Sequence, residues 1–178
     1  MASLNFDNVS FHSTAGGVHF SSTADISFLG GAVLGSFINP EGVNVDINGT
    51  SLTLAAGPSL DDIEINGRNN VTVNGATING LGSSQLRMNA LNTLDVRNTG
   101  LSGFSFINLE ARTVVLQNID FPAGSTVQLK SQNGLLAPNP NTSQSIQNGF
   151  VNYISNVRYN GLLLSSTPNP NITISVRP

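Results

Sequence analysis

The sequence predicts an all-β fold: a solenoid of about seven to eight coils with three short strands per coil. Three observations predict it. A pattern of apolar, any, apolar, any, Gly or Asn, two free positions, apolar starts at Leu4, Ile26, Val45, Val71, Leu94 and Val114. The starts follow one another at intervals of 22, 19, 26, 23 and 20 residues, close enough to a fixed period to mark stacked coils. No window holds the i, i+3, i+4, i+7 stripe of an amphipathic helix.

The first strand of each coil carries the inward pairs Leu4/Phe6, Ile26/Phe28, Val45/Ile47, Val71/Val73, Leu94/Val96 and Val114/Leu116. Their spacing of two places both side chains on one face of a strand. Next come Asn8, Gly30, Gly49, Gly75, Asn98 and Asn118. Gly takes positive φ freely and Asn tolerates it, so these positions predict a sharp corner. The second strand then opens on Phe11, Val33, Leu52, Ile78, Leu101 and Phe121. A third strand is predicted eight residues before each later start, at Val18, Phe37, Ile63, Leu86, Phe106 and Val127. Phe20, Ile65, Met88 and Leu129 are its second inward residues. The insertions fall in the corner between the second and third strands, the longest running from Ala55 to Asp62.

Regular coils are thus expected over residues 4–129 of a single domain spanning 1–178, with an irregular loop at 136–149. Pro138 and Pro140 interrupt the repeat that Leu135 would start. Val157, Tyr159, Gly161 and Leu164 restore the pattern, and Asn171–Val176 alternates as a final strand, so the last coil and C-terminal strand are placed in 150–178.

Only 10% of the residues are charged, far below the roughly 25% of an ordinary domain. The net charge is −3 and there is no basic run, which argues against nucleic acid. No apolar stretch approaches the ~20 residues of a membrane span. The absence of cysteine excludes a disulfide scaffold and thiolate metal sites. Met1-Ala2-Ser3 runs straight into the first repeat with no leading segment to cover it. The chain is therefore expected to be either cytosolic or, the favoured reading, an excised piece of a longer protein with a new start.

The repeat resembles the right-handed, single-stranded parallel β-helix superfamily of pectate lyases, glycoside hydrolases, phage tailspikes and bacterial surface passengers. The resemblance covers residues 4–129 closely and 150–164 loosely. It implies fold more than function, because such folds host enzymes and adhesive stalks alike. The Asn-, Gly-, Ser- and Thr-rich texture looks most like secreted bacterial surface proteins, which implies an extracellular or cell-surface location. It also implies a structural or adhesive role without catalysis. The alternative is a polysaccharide-active lyase or hydrolase, or its inactive carbohydrate-binding relative.

For that alternative the candidate catalytic residues are Asp46, Asp95 and Arg97. Stacking would put the two carboxylates two coils apart, ~9–10 Å, with Arg97 as a substrate clamp. That separation touches the upper edge of the inverting-glycosidase range. A polar outer face with a stray ion pair is the plainer reading. His12 and His19 lie in the first coil, away from both carboxylates. Asp61, Asp62 and Glu64, in and after the longest corner, are the candidates for calcium, the one cofactor these residues offer. A solvated turn with a Glu64–Arg87 contact between coils is the simpler account. The expected partners are a second copy or neighbouring domains of a parent protein, through the coil ends, with a glycan as a further candidate.

Overall fold

The computed structural model describes residues 3–14, 16–57, 61–131, 151–164 and 169–176. All the regular elements among them are strands, wound into a parallel β-solenoid of about six turns rather than seven to eight. The predicted coil at Leu135 and the loop at 136–149 lie outside the described residues.

The first sheet stacks β1 (Leu4–Asp7), β4 (Ile26–Leu29), the ends of β6 (Phe37–Asn48) and β8 (Asp62–Asn74), β10 (Thr93–Arg97) and the start of β12 (Thr113–Phe121). Its register is the predicted one. Leu4, Ile26, Val45, Val71, Leu94 and Val114 are successive lateral neighbours. From the second coil on, these residues are at most 1% exposed. A slip of one residue would turn every one of them outward, so burial itself holds the register.

The second sheet contains β2 (Ser10–His12), β5 (Ala32–Gly35), β7 (Ser51–Leu54) and the starts of β9 (Thr77–Ala90) and β11 (Gly100–Ala111). It aligns Phe11, Val33, Leu52, Ile78 and Leu101 as expected. One further inward position was not predicted, directly after the corner residue. Thr50, Ala76, Thr99 and Ile119 are buried there. The two threonines satisfy their hydroxyls on nearby carbonyls, Thr50 on Gly30 O at 2.9 Å and Thr99 on Arg97 O at 2.7 Å.

The third sheet corrects the sequence reading at two places. The column runs Val18, Ile38, Ile63, Leu86, Ile107 and Val127, so Ile38 and Ile107 replace Phe37 and Phe106. Phe37 and Phe106 sit one residue earlier, partly exposed, beside Asp62 and Gln85 respectively. In these two coils the corner leading to the first sheet takes one residue fewer, so a constant spacing of eight misses by one. Several corners do not break the strand either. β6 and β8 run through from the third sheet to the first, and β9 and β11 from the second to the third.

The C-terminal repeat is also placed differently. In β14 (Val151–Tyr159), Val151 pairs with Val114, whereas Val157 pairs with Ile119 and Tyr159 with Phe121. Val157 therefore belongs to the second sheet and does not start the first. The corner before it is Asn156, with φ 50°, next to Asn118 with φ 51°. Gly161 is no coil corner. Asn160 and Gly161, with φ 50° and 74°, form the tight turn of a hairpin into β15 (Leu162–Leu163), which pairs antiparallel with β14. Asn-Gly is the preferred pair where both central residues need positive φ. The Asp120 carboxylate accepts the Gly161 N–H at 3.0 Å and so fixes this turn to the coil before it. The predicted final strand is present as β16 (Ile172–Val176), parallel to β13 (Thr126–Ser131).

The core is one continuous column of apolar side chains. Its N-terminal end is filled by Phe6, Phe11, Phe20 and Phe28, whose ring centroids lie 4.8–5.3 Å apart. Edge-to-face and tilted contacts at this range suit aromatic rings. At the other end Tyr159 is buried as predicted, and its hydroxyl donates to Ser125 O at 2.8 Å.

Two stability measurements check these placements. Gly103 has φ +70°, and a Cβ there would lie 2.3 Å from Gly80 O, whereas Gly82 has φ +87° with nothing within 4 Å. Gly82→Ala should therefore cost about 1–2 kcal/mol, the left-handed backbone penalty alone. Gly103→Ala should cost clearly more in the same denaturant titration; equal costs would contradict the close approach of β9 and β11. Tyr159→Phe leaves the buried Ser125 carbonyl short of a donor and should cost about 1–3 kcal/mol.

Candidate functional site

The first sheet's outer face places Asp46, Thr72 and Asp95 in one lateral column, so the two carboxylates stand two strands apart, ~9–10 Å, as the repeat predicts. Arg97 lies two residues beyond Asp95 on the same strand, β10, and side chains at that spacing share a face. Its guanidinium holds both oxygens of Asp95: Nε donates to Oδ1 at 2.7 Å and Nη2 to Oδ2 at 2.8 Å. Nη1 reaches Gln117 Oε1 at 3.4 Å. The hydrogen bond to Asp95 raises the Arg97 pKa further above its ordinary value. Both members of this bidentate pair are thus engaged with each other.

Asp46 is different. It is half-buried between Ser27 and Thr72 and has no hydrogen-bond or ion-pair partner among the described residues. Burial raises its pKa above the ordinary 3.8. A carboxyl that keeps its proton more readily is suited to donate it. His12 and His19 are exposed on strands of the other two sheets, in the first coil. Catalysis of the inverting type would therefore require Asp95 to leave Arg97 while Asp46 served as the acid.

Asp61, Asp62 and Glu64 are not gathered into one ligand set. Among the described residues no group of three or more His, Cys, Asp or Glu side chains is placed to hold a metal ion. Asp62 is buried, and its Oδ1 accepts the Gln85 N–H at 3.2 Å. Glu64 lies beside Arg87 on the third sheet and forms an ion pair with it at 2.9 Å, the contact between coils anticipated from the sequence. Arg87 also donates to Gln85 Oε1 at 2.7 Å.

Several outward amides belong to ladders that run along the solenoid axis. In one, Asn44 donates to Asp25, Asn69 and Asn70 donate to Asn44, and Asn92 donates to Asn69. In another, Asn98 donates to Asn74, Asn118 to Asn98 and Asn156 to Asn118, at 2.9, 2.6 and 2.9 Å. The repeat had marked Asn98 and Asn118 only as corners. Their alignment at a constant place in the coil was the available signal for the ladder.

The raised pKa of Asp46 carries a sign. A carboxyl whose folded pKa exceeds its unfolded value adds stability below the unfolded pKa and loses it as pH rises through the folded one. Asp46→Asn should therefore raise thermal stability modestly at neutral pH. The gain should vanish as pH falls below about 4, where the wild-type side chain is protonated in both states. A gain that persists in acid would contradict desolvation as the cause. No family model, curated protein or solved structure matches the chain.

Proposed function

We propose that this chain is a structural or adhesive module, a β-helical segment of a larger secreted bacterial surface protein, and that it carries no reaction. The observation in favour is the state of the outward polar groups. Asp95 is held by Arg97, Glu64 by Arg87, and many of the amides by one another, so among the described residues the charged candidates Asp95, Arg97 and Glu64 are each taken up by a partner. Such a surface suits a rigid rod that displays or spaces other parts. The strands of the first coil are paired on one side only, and Leu4, Phe6 and Phe11 are less buried than their counterparts in the next coil. Open strand edges over a partly covered apolar end favour further coils, of a parent protein or a second copy. Residence outside the cell belongs to the same proposal. Among the described residues no helix is long and apolar enough to cross a membrane.

The alternative is a polysaccharide-active enzyme or its inactive relative, and unpaired Asp46 is the observation on its side. Incubation of the purified chain with a panel of acidic and neutral polysaccharides separates the two, with released reducing or unsaturated ends as the readout. The module predicts no release. Cleavage that Asp46→Ala or Asp95→Ala abolishes would establish the enzyme.

A further inference from the structure

Arg68 follows the buried Gly67 in β8, and its Nη2 donates to the Ser22 carbonyl of the first coil. It thus straps the corner between the third and first sheets across the intervening coil. Beside this strap opens a groove of about 310 Å³. Glu41, Asn66 and Asn89 line it as lateral neighbours on the outer face of the third sheet. Buried Gly67 and Ala90, with Leu91 at 57% exposure, supply its apolar lining.

Here the polar groups are not used up on one another. Asn89 Nδ2 donates to Asn66 Oδ1 at 2.9 Å, which leaves Asn66 Nδ2 and Asn89 Oδ1 uncommitted among the described residues. The Glu41 carboxylate has no hydrogen-bond or ion-pair partner among them. Arg68 spends one N–H on Ser22 and forms no ion pair with Glu41. The groove therefore offers free donors and free acceptors side by side, next to an apolar patch, with no net charge in its lining.

We propose that this groove binds a neutral sugar of about two rings, without cleaving it. A sugar hydroxyl both donates and accepts, so it can meet Glu41 and Asn89 Oδ1 as a donor and Arg68 and Asn66 Nδ2 as an acceptor. The C–H face of the ring can lie against Leu91. The zero net charge favours a neutral ligand over a uronate. The groove spans three coils, two strand spacings or ~10 Å, which sets the length of the ligand. The site gives the adhesive reading its ligand class and rests on that reading.

The test is an NMR titration of the 15N-labelled chain with maltose, cellobiose and lactose, and with glycine as a zwitterionic control. Saturable shifts confined to Glu41, Asn66, Arg68, Asn89 and Leu91 are expected with at least one disaccharide, at a Kd of about 1 mM. Glu41→Gln should weaken binding about tenfold, the scale of a lost hydrogen bond to a charged group. Leu91→Ala, at an exposed position, should weaken it with thermal unfolding unchanged. Absence of saturable shifts with all three sugars, shifts that map elsewhere, or equal shifts with glycine would each overturn the site. Those results leave the module reading standing, whereas glycan cleavage by the chain would overturn that reading whatever the groove binds.

Discussion

The column of left-handed corner residues sets the shape of this molecule. Asn8, Gly30, Gly49, Gly75, Asn98, Asn118 and Asn156 all have φ between 49° and 67°. Each turns the chain from the first sheet into the second. Their backbone N–H groups also join the coils: Asn8 donates to Leu29 O, Gly30 to Asn48 O, Gly49 to Asn74 O and Gly75 to Arg97 O, at 2.8–3.1 Å. A right-handed residue here would send the next strand off the stack and break these links between coils. Because this corner has constant length from β1 to β12, the first and second sheets keep their register over those coils, and their inward residues stack into one core. The pairing of β14 on β12 takes up one extra residue between Tyr153 and Ser155.

The other two corners are free to vary, and the features specific to this chain gather around them. The longest insertion separates β7 from β8. The shortened corners at Gly42 and after Ala111 shift the third sheet by one residue and expose Phe37 and Phe106. The Arg68 strap and its groove lie at the corner between the third and first sheets. Variation is confined there because an added residue in a solvent-facing turn leaves the pairing on either side intact. Elsewhere among the described residues, amide ladders and ion pairs engage many of the outward polar groups with one another, Asp46 being an exception. Solvent-accessible pairs such as the half-buried Arg87–Glu64 contribute little to stability. Their consequence is chemical: they remove side chains from the pool that could act on a substrate.

The candidate site was legible in part. Spacing alone placed Asp46 and Asp95 in one column and Glu64 beside Arg87, because register follows from the apolar pattern. It did not reveal that Arg97 folds back onto Asp95, since the direction of a long side chain depends on what lies around it. The groove was not legible either. Glu41, Asn66 and Asn89 are separated by 25 and 23 residues and become neighbours only through the uneven corners between them.

The sequence by itself determined that the chain is a β-solenoid, where its first corner falls and which residues form the main inward columns of two of its three sheets. Those features repeat, and each repeat is stated locally by alternation and by a Gly or Asn that can take positive φ. Tertiary structure decided the register of the third sheet and the course of the C-terminal end. Ile38 or Phe37 is an equally good inward residue on sequence grounds, and only the length of the following corner chooses between them. Val157 fits the repeat pattern as a coil start, yet pairing with Ile119 assigns it to the second sheet, and the Asn160–Gly161 turn then reverses the chain. In both cases two local readings have the same apolar pattern. What separates them is which lateral neighbour buries the side chain, a relation between residues about twenty or more apart.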